Sequence, residues 1–149
     1  MNVQNRKPNQ YLITTHIPSI IDNTFSINRF IAKEEISELF SYQFELLSEK
    51  KLDPRYLIRK PVTVSLHNQQ QKPRIFHGLI NQVIEDKEKR SNQHCYHITA
   101  SPWFWFLKYD IDSRHFQNKT VIDIINEYFS KRQIQDYHIG NIILKKRNF

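Results

Sequence analysis

Short runs of alternating apolar and polar residues recur along most of the chain, and this repetition limits the fold more than any other feature. A strand points successive side chains to opposite faces, so a two-residue period predicts a strand with one buried face. The predicted strands cover residues 11–17, 25–31, 42–47, 62–66, 74–85 and 94–101. So many strands in one small chain predict a closed or nearly closed antiparallel sheet, because closure removes exposed strand edges.

The same period predicts which side chains of two of these strands share a face. In the run at residues 42–47, the side chains on one face are Tyr42, Phe44 and Leu46. In the run at residues 25–31, they are Phe25, Ile27 and Arg29.

The connections between the strands have signals of their own. Asp53 and Pro54 predict a single helical turn that ends by Pro61, with the aspartate as N-cap and the proline at the first helical position. The polar residues 68–72 predict a loop. The charged residues 86–93 predict the tip of a long β-hairpin.

The spacing of apolar residues changes at residues 118–132, where a helix is predicted. The apolar stripe consists of Val121, Ile124, Ile125, Tyr128 and Phe129. Thr120 is a natural N-cap, and Asp123 three residues later completes a capping-box arrangement. A strand pattern resumes at residues 137–144, and we interpret the end at Phe149 as the truncation of a larger protein.

The composition argues against several classes of protein. With only two glycines, Gly78 and Gly140, the chain lacks a glycine-rich loop for phosphates, and we expect no cofactor. Its single cysteine, Cys95, excludes an intramolecular disulfide. No apolar run is long enough for a membrane span, and none follows the first basic residues as in a signal peptide. We therefore expect synthesis in the cytoplasm.

Few residues suggest catalysis. Cys95 and His97 fall on one face of their strand and could form a nucleophile pair, although a buried free cysteine is more often inert packing. Asp110 and Asp112 could pair as acid and base, although turns and strand ends are commoner places for aspartate. The seven histidines are isolated or in strands, so we expect no metal site. We predict that the chain is not an enzyme.

A net charge of +7 raises the question of an acidic partner, although the charges lie in short scattered groups typical of solvated loops. The aromatic run at residues 103–106 would suit stacking on single-stranded nucleic acid. The cations considered with it are Arg74, Lys87, Lys108 and Arg114. Four bulky aromatics cannot all face solvent without a large apolar patch, so core packing or a protein interface is favoured. A small basic β-barrel that binds single-stranded nucleic acid is the alternative function.

Several motifs occur in an order that resembles a known family. A strand ending in PWFWFL at residues 102–107 is followed by DSRHFQNKTV at residues 112–121 and then by DII at residues 123–125. Upstream lie ELFSYQFEL at residues 38–46, KPVTV at residues 60–64 and FHGLI at residues 76–80. Over residues 25–129 the chain resembles the VgrG family of type VI secretion spikes, also called Rhs-element Vgr proteins, which are similar to phage baseplate hubs.

The resemblance implies a mainly β (α+β) fold in three parts. These are a flexible leader at residues 1–10, a small antiparallel tube-type β-barrel at residues 11–116, and the start of an α+β baseplate-like domain at residues 117–149. It implies a structural hub segment without catalytic, cofactor-binding or metal-binding residues. The implied partners are further copies in a homotrimer of the full-length protein, an Hcp-like tube protein, and effector or tip proteins held by C-terminal parts absent here. Export would follow the type VI route.

The resemblance assigns structural roles to the residues of these motifs. They are Phe44, Pro61, Phe76, Gly78, Pro102, Trp103, Trp105, Ser113, Arg114, Phe116, Gln117, Thr120, Val121, Ile124 and Ile125. Arg59 stands where the family usually has glycine, so the backbone of that turn is of interest.

Overall fold

The computed structural model describes residues 12–18, 25–68, 71–86 and 92–140. The chain divides into two compact units, Met1–Asp110 and Ile111–Phe149. Within the described residues, the first unit contains the strands β1 (Leu12–His16), β2 (Phe25–Lys33), β3 (Ser41–Ser48), β4 (Pro61–Asn68), β5 (Gln71–Glu85) and β6 (His94–Ser101). It also contains two 3-10 helices, Pro54–Tyr56 and Trp103–Tyr109. The second unit contains the helix α1 (Val121–Lys131).

The strands form one antiparallel sheet in the order β1-β4-β5-β6-β3-β2. The sheet curls into a nearly closed barrel, which confirms the predicted fold class. The 15-residue strand β5 makes this possible, because its first half pairs with β4 and its second half with β6. Between β1 and β2 lies a cavity of about 420 Å³, lined by both strands and by Thr63 and Ser65 of β4.

The apolar core lies on the inner face of the barrel. Its buried members are Ile17, Tyr42, Phe44, Leu46, Leu57, Val62, Val64, Phe76, Ile80, Tyr96, Ile98 and Ala100. The prediction that Tyr42, Phe44 and Leu46 share a face is therefore confirmed, as each is buried in this core. The hydroxyl of the fully buried Tyr96 accepts a hydrogen bond from Leu52 N at 2.8 Å, so its polar end is satisfied.

An aromatic group occupies part of the core. Phe76 makes edge contacts with Phe30, at 5.0 Å between ring centroids, and with Tyr42, at 5.3 Å. The Tyr42 hydroxyl donates to Glu34 Oε1 at 2.6 Å, and Arg74 donates to Glu34 Oε2 at 2.7 Å. Burial, together with the Glu34 carboxylate, raises the pKa of Tyr42 well above the usual range. Glu34 thus ties the start of β3 to the start of β5.

The predicted face of β2 is wrong at Arg29. The pairing of β2 with β3 shifts between Ile27 and Arg29, so Asn28 is the extra residue of a β-bulge. Because one inserted residue reverses the alternation, Phe30 packs against the core and Arg29 is exposed.

Other boundaries differ where backbone pairing, and not composition, decides the structure. The predicted loop at residues 68–72 is shorter, since Asn68 still belongs to β4 and Gln71 already belongs to β5. The predicted strand at residues 137–144 is wrong for its described part, because residues 137–140 are irregular. There Tyr137 N donates to Gln135 O at 3.0 Å, and the ring packs on Phe129 at 4.7 Å. Residues 1–10, 87–91 and 141–144, where a leader, a hairpin tip and the rest of that strand were predicted, lie outside the described residues.

Gly78 lies in β5 next to the point where the strand changes partner. A Cβ atom at this position would lie 3.2 Å from the carbonyl oxygen of Ser101 and 3.3 Å from a ring carbon of Phe40. Its φ angle is not positive, so the requirement for glycine is one of space. At Gly140, in contrast, a Cβ atom would have nothing within 4 Å.

Gly78→Ala should destabilise the barrel by about 1–3 kcal/mol, because the methyl group meets a backbone oxygen that cannot move freely. Urea unfolding followed by tryptophan fluorescence measures this, since Trp103 and Trp105 both lie in the first unit. Gly140→Ala is the control and should leave the fluorescence midpoint unchanged, because Gly140 lies in the second unit and a Cβ atom there meets nothing. Equal midpoints for the two variants would contradict the steric argument.

Candidate interaction surface

A 3-10 helix formed by Trp103–Tyr109 follows the last strand of the barrel. Pro102, with φ −62° and ψ 156°, ends β6 in extended geometry, and its carbonyl accepts the first turn bond from Trp105 N at 3.0 Å. The sequence predicted the aromatic run and its packing but not this helix. Almost all of its seven residues are apolar or aromatic, so the run lacks the spacing of apolar and polar positions from which a helix could be predicted.

The aromatic rings of this helix pack mainly on one another. Trp105 makes edge contacts with Phe106, at 5.1 Å between ring centroids, and with Tyr109, at 5.5 Å. Lys108 Nζ lies 3.4 Å from the Trp105 ring centroid, a cation–π contact. One face of Trp105 is therefore covered by its own neighbour, which argues against base stacking on that face.

Part of the aromatic helix faces solvent. Phe104 is 49% exposed and Tyr109 is 64% exposed, whereas Trp103, Trp105 and Phe106 are half-buried. Exposed aromatic side chains next to a rigid scaffold are typical of protein interfaces. We call the exposed side chains of Phe104 and Tyr109 the aromatic surface.

Arg59, where the resemblance implies a glycine, adopts the left-handed conformation with φ 64°. This is where glycine would be unstrained, and an L side chain costs about 1–2 kcal/mol there. Arg59 N donates to Ile80 O at 2.7 Å, a bond that glycine could also make. The contact specific to arginine is that of its guanidinium, which lies 5.4 Å from the Phe106 ring centroid. The turn thus keeps its backbone geometry with arginine.

In the second unit, the motif residue Arg114 forms an ion pair with Asp112 at 2.6 Å. Arg132 lies 3.8 Å from the same carboxylate oxygen. The hydrogen bond from Arg114 holds the pKa of Asp112 below its usual range. Asp112 is therefore held ionised, which does not suit a general acid. Asp110 instead caps the 3-10 helix, where its N–H donates to Leu107 O at 2.9 Å.

The predicted capping box at the start of α1 is confirmed. Asp123 N donates to Thr120 Oγ1 at 3.2 Å, and Thr120 N donates to Asp123 Oδ2 at 2.8 Å. The apolar stripe is buried unevenly, because Phe129 is buried, Ile124 and Ile125 are half-buried, and Val121 is 48% exposed. Lys119 and Glu127 form an ion pair beside the stripe, and this contact lowers the pKa of Glu127.

The remaining motif residues fall into three groups. Phe44, Phe76 and Gly78 are buried inside the barrel, and Pro61 begins β4 opposite Leu79. Phe116 is half-buried, with Lys119 Nζ 5.7 Å from its ring centroid. Ser113 and Gln117 are exposed. The motif thus supplies a few buried and capping positions, and most of its residues are half-buried or exposed.

The outer face of the β3–β6 pair carries a cluster of three side chains of metal-ligand type. As predicted, Cys95 and His97 lie on one face of β6, and Glu45 of β3 pairs directly with His97. The ligand atoms of these three residues all lie within 4.8 Å of one another. The sequence alone does not reveal Glu45, because its place beside the pair depends on strand register.

Comparison with known proteins places the chain. The model of the phage tail baseplate hub (GPD) family matches residues 33–149. The chain belongs to this family. Three Pseudomonas aeruginosa relatives are called type VI secretion system spike proteins. VgrG1c is 29% identical over 86% of this chain, VgrG1b 31% over 74%, and VgrG1a 32% over 74%. The chain spans only 18%, 15% and 17% of their respective lengths.

No helix in the described part of this hub-family chain is long and apolar enough to cross a membrane.

Arg114→Gln should raise the pKa of Asp112 towards that of an ordinary aspartate, because it removes the hydrogen bond that stabilises the carboxylate. The folded pKa lies below the unfolded one. The ion pair therefore stabilises the second unit above the unfolded pKa, and this stabilisation is lost as the pH falls through the folded pKa. A carbon-13 NMR titration of the Asp112 carboxyl measures the shift.

Arg55→Gln is the matched control, since Arg55 pairs with Asp53 at 2.7 Å in the first unit. It should raise the pKa of Asp53, which Arg55 lowers, and leave the Asp112 titration as it is. An Asp112 titration that is the same with and without Arg114 would be evidence against the ion pair in solution.

Proposed function

We propose that the chain is the N-terminal hub segment of a type VI secretion spike and that its role is structural. In the full-length protein three copies would assemble into a homotrimer that docks on an Hcp-like tube. The second unit would contribute the beginning of a baseplate-like α+β domain, starting near residue 117. Effector or tip proteins would be held by parts of the protein beyond those described.

The family match over residues 33–149 carries the proposal. The names of the three relatives, all type VI secretion spike proteins, support the narrower assignment to a spike. Their matches cover 74–86% of this chain, so the likeness extends well beyond a single motif.

The arrangement of the barrel suits a structural role better than a catalytic one. Its interior is filled by apolar and aromatic side chains, including Phe44, Phe76 and Tyr96. Of the carboxylates considered for acid–base chemistry, Asp112 does not suit a general acid, because the hydrogen bond from Arg114 holds its pKa below the usual range. A rigid, filled barrel transmits force well, because close-packed interiors deform little.

We assign subunit contact to the aromatic surface of Phe104 and Tyr109. Both side chains lie on a short helix held to the barrel through Pro102 and the Arg59–Phe106 contact. Aromatic residues on a fixed support supply much contact area at low entropic cost, and they often dominate the energy of interfaces. The cation over Trp105 and the short, scattered charge groups make nucleic acid the weaker alternative.

A chimeric spike tests the proposal. The aligned segment of Pseudomonas aeruginosa VgrG1c is replaced by this chain, and light scattering measures the oligomeric state of the product. We expect a trimer that retains its tube protein in a pull-down. A chimera that is folded by circular dichroism but monomeric, or that fails to retain the tube protein, would overturn the proposal.

Within this chimera, Phe104→Asp and Tyr109→Asp test the aromatic surface. Each should weaken trimerisation by about tenfold or more, since loss of about 1.4 kcal/mol corresponds to a factor of ten. Tyr56→Asp is the matched control, because Tyr56 is a 73% exposed tyrosine elsewhere on the same unit. If Tyr56→Asp weakens the trimer as much as Tyr109→Asp does, the effect is one of added charge and the assignment fails.

A further inference from the structure

The cluster of Glu45, Cys95 and His97 has the composition of a transition-metal site. A thiolate, an imidazole and a carboxylate are the three side-chain ligand types used by Zn²⁺. Metal–ligand distances of about 2.0–2.3 Å place the ligands of one ion about 3–4 Å apart. The ligand atoms here already lie within 4.8 Å of one another, so small side-chain rotations would bring them to one ion. Together a thiolate and a carboxylate would balance a divalent charge.

The surroundings of Cys95 differ from those of an inert core cysteine. Cys95 is fully buried, yet it is not a member of the apolar core cluster. It lies on the outward face of β6, next to the 7% exposed Glu45 and the 45% exposed side chain of His97. The Cys95 thiol therefore has an imidazole and a carboxylate within reach, which are two further ligand types that a cysteine among methyl groups lacks.

Two neighbouring side chains orient the potential ligands. His97 Nε2 lies 3.1 Å from Asp86 Oδ1, so an Nε2–H donor to Asp86 leaves Nδ1 free of its proton to bind an ion. Asn28 Nδ2 donates to Glu45 Oε1 at 2.5 Å, which fixes the plane of that carboxylate. A carboxylate behind a histidine ligand is a recurrent arrangement at zinc sites, where it fixes the tautomer and raises ligand basicity.

An open cavity reaches two members of the cluster. Its volume is about 240 Å³, and both Glu45 and His97 line it together with Arg29, Gln43 and Thr99. An ion bound by three protein ligands keeps a fourth position, which here would face this cavity and take a water molecule or a small anion. The exposed Arg29 lines the same cavity and pairs in register with Glu45, so it would favour the anion.

We propose that Glu45, Cys95 and His97 bind one divalent transition-metal ion of the zinc type on the outer face of the barrel. Asp86 acts as the positioning residue for His97. The bound ion would cross-link β3 and β6, which are neighbours in the sheet. The mixed sulfur, nitrogen and oxygen ligands select against Ca²⁺ and Mg²⁺, which prefer oxygen alone. This inference does not depend on the role proposed for the chain in a spike.

Cobalt(II) is the probe, added to the reduced, chelator-treated and tag-free 149-residue chain. We expect one ion per chain, a near-ultraviolet thiolate charge-transfer band, visible bands of four-coordinate intensity, and displacement of cobalt by zinc. Cys95→Ser should abolish the charge-transfer band, and His97→Gln should abolish tight binding. Asp86→Asn should retain the band but weaken the affinity by about 10–100-fold, as for other residues behind a ligand.

His77→Gln is the matched control, since His77 is an exposed strand histidine paired with Thr63 at 2.9 Å. It should leave cobalt binding unchanged. Far-UV spectra of all variants establish that they are folded, and the surface variants His97→Gln and Asp86→Asn keep the test informative if Cys95→Ser unfolds. Absence of the thiolate band in the native chain overturns the proposal. Cobalt binding that survives His97→Gln also overturns it, because such an ion would be adventitious.

Discussion

The first unit depends on one long strand changing its partner. β5 pairs with β4 up to Leu79 and with β6 from Leu79 onwards, so the sheet curls and buries one apolar face against itself. At this point Gly78 lets Phe40 and the Ser101 carbonyl approach the strand, and Ile80 is fully buried. In the turn before β4, Arg59 N donates to Ile80 O, and Lys60 O accepts a hydrogen bond from Ile80 N. The same few backbone groups therefore hold the turn, the point where β5 changes its partner, and the core.

The sequence predicted those features that depend on neighbouring residues. Alternation gave the strands and the buried face of Tyr42, Phe44 and Leu46, and the three- and four-residue spacing gave α1 with its cap at Thr120. It did not predict the bulge at Asn28, because a bulge depends on the pairing of β2 with β3 and not on the composition of β2. The strand predicted at residues 137–140 is wrong for a related reason. The residues have a β-like pattern, but the segment is irregular and the Tyr137 ring packs on Phe129.

Side-chain sites that join two strands were the hardest to foresee. The sequence places Cys95 and His97 on one face, since they are two residues apart, but only the register of β3 against β6 brings Glu45 opposite His97. The same holds for Glu34, which receives hydrogen bonds from Tyr42 and Arg74 across two strands. At Arg59, in contrast, the family resemblance indicated from sequence alone that the turn was of interest, and the structure shows that its φ angle is positive.

The two units are stabilised in different ways. The barrel depends on burial, with long-range strand pairs surrounding a shared apolar core. In the second unit the described contacts are mostly local: a capping box at Thr120, ion pairs of Asp112 and Glu127, and one buried ring, Phe129. An 11-residue helix is marginal without tertiary packing, so these contacts contribute a larger share of its stability than similar ones in the barrel. Loss of charge by acid should therefore loosen the second unit before the barrel, because the barrel depends mainly on apolar burial and only in part on carboxylates such as Glu34.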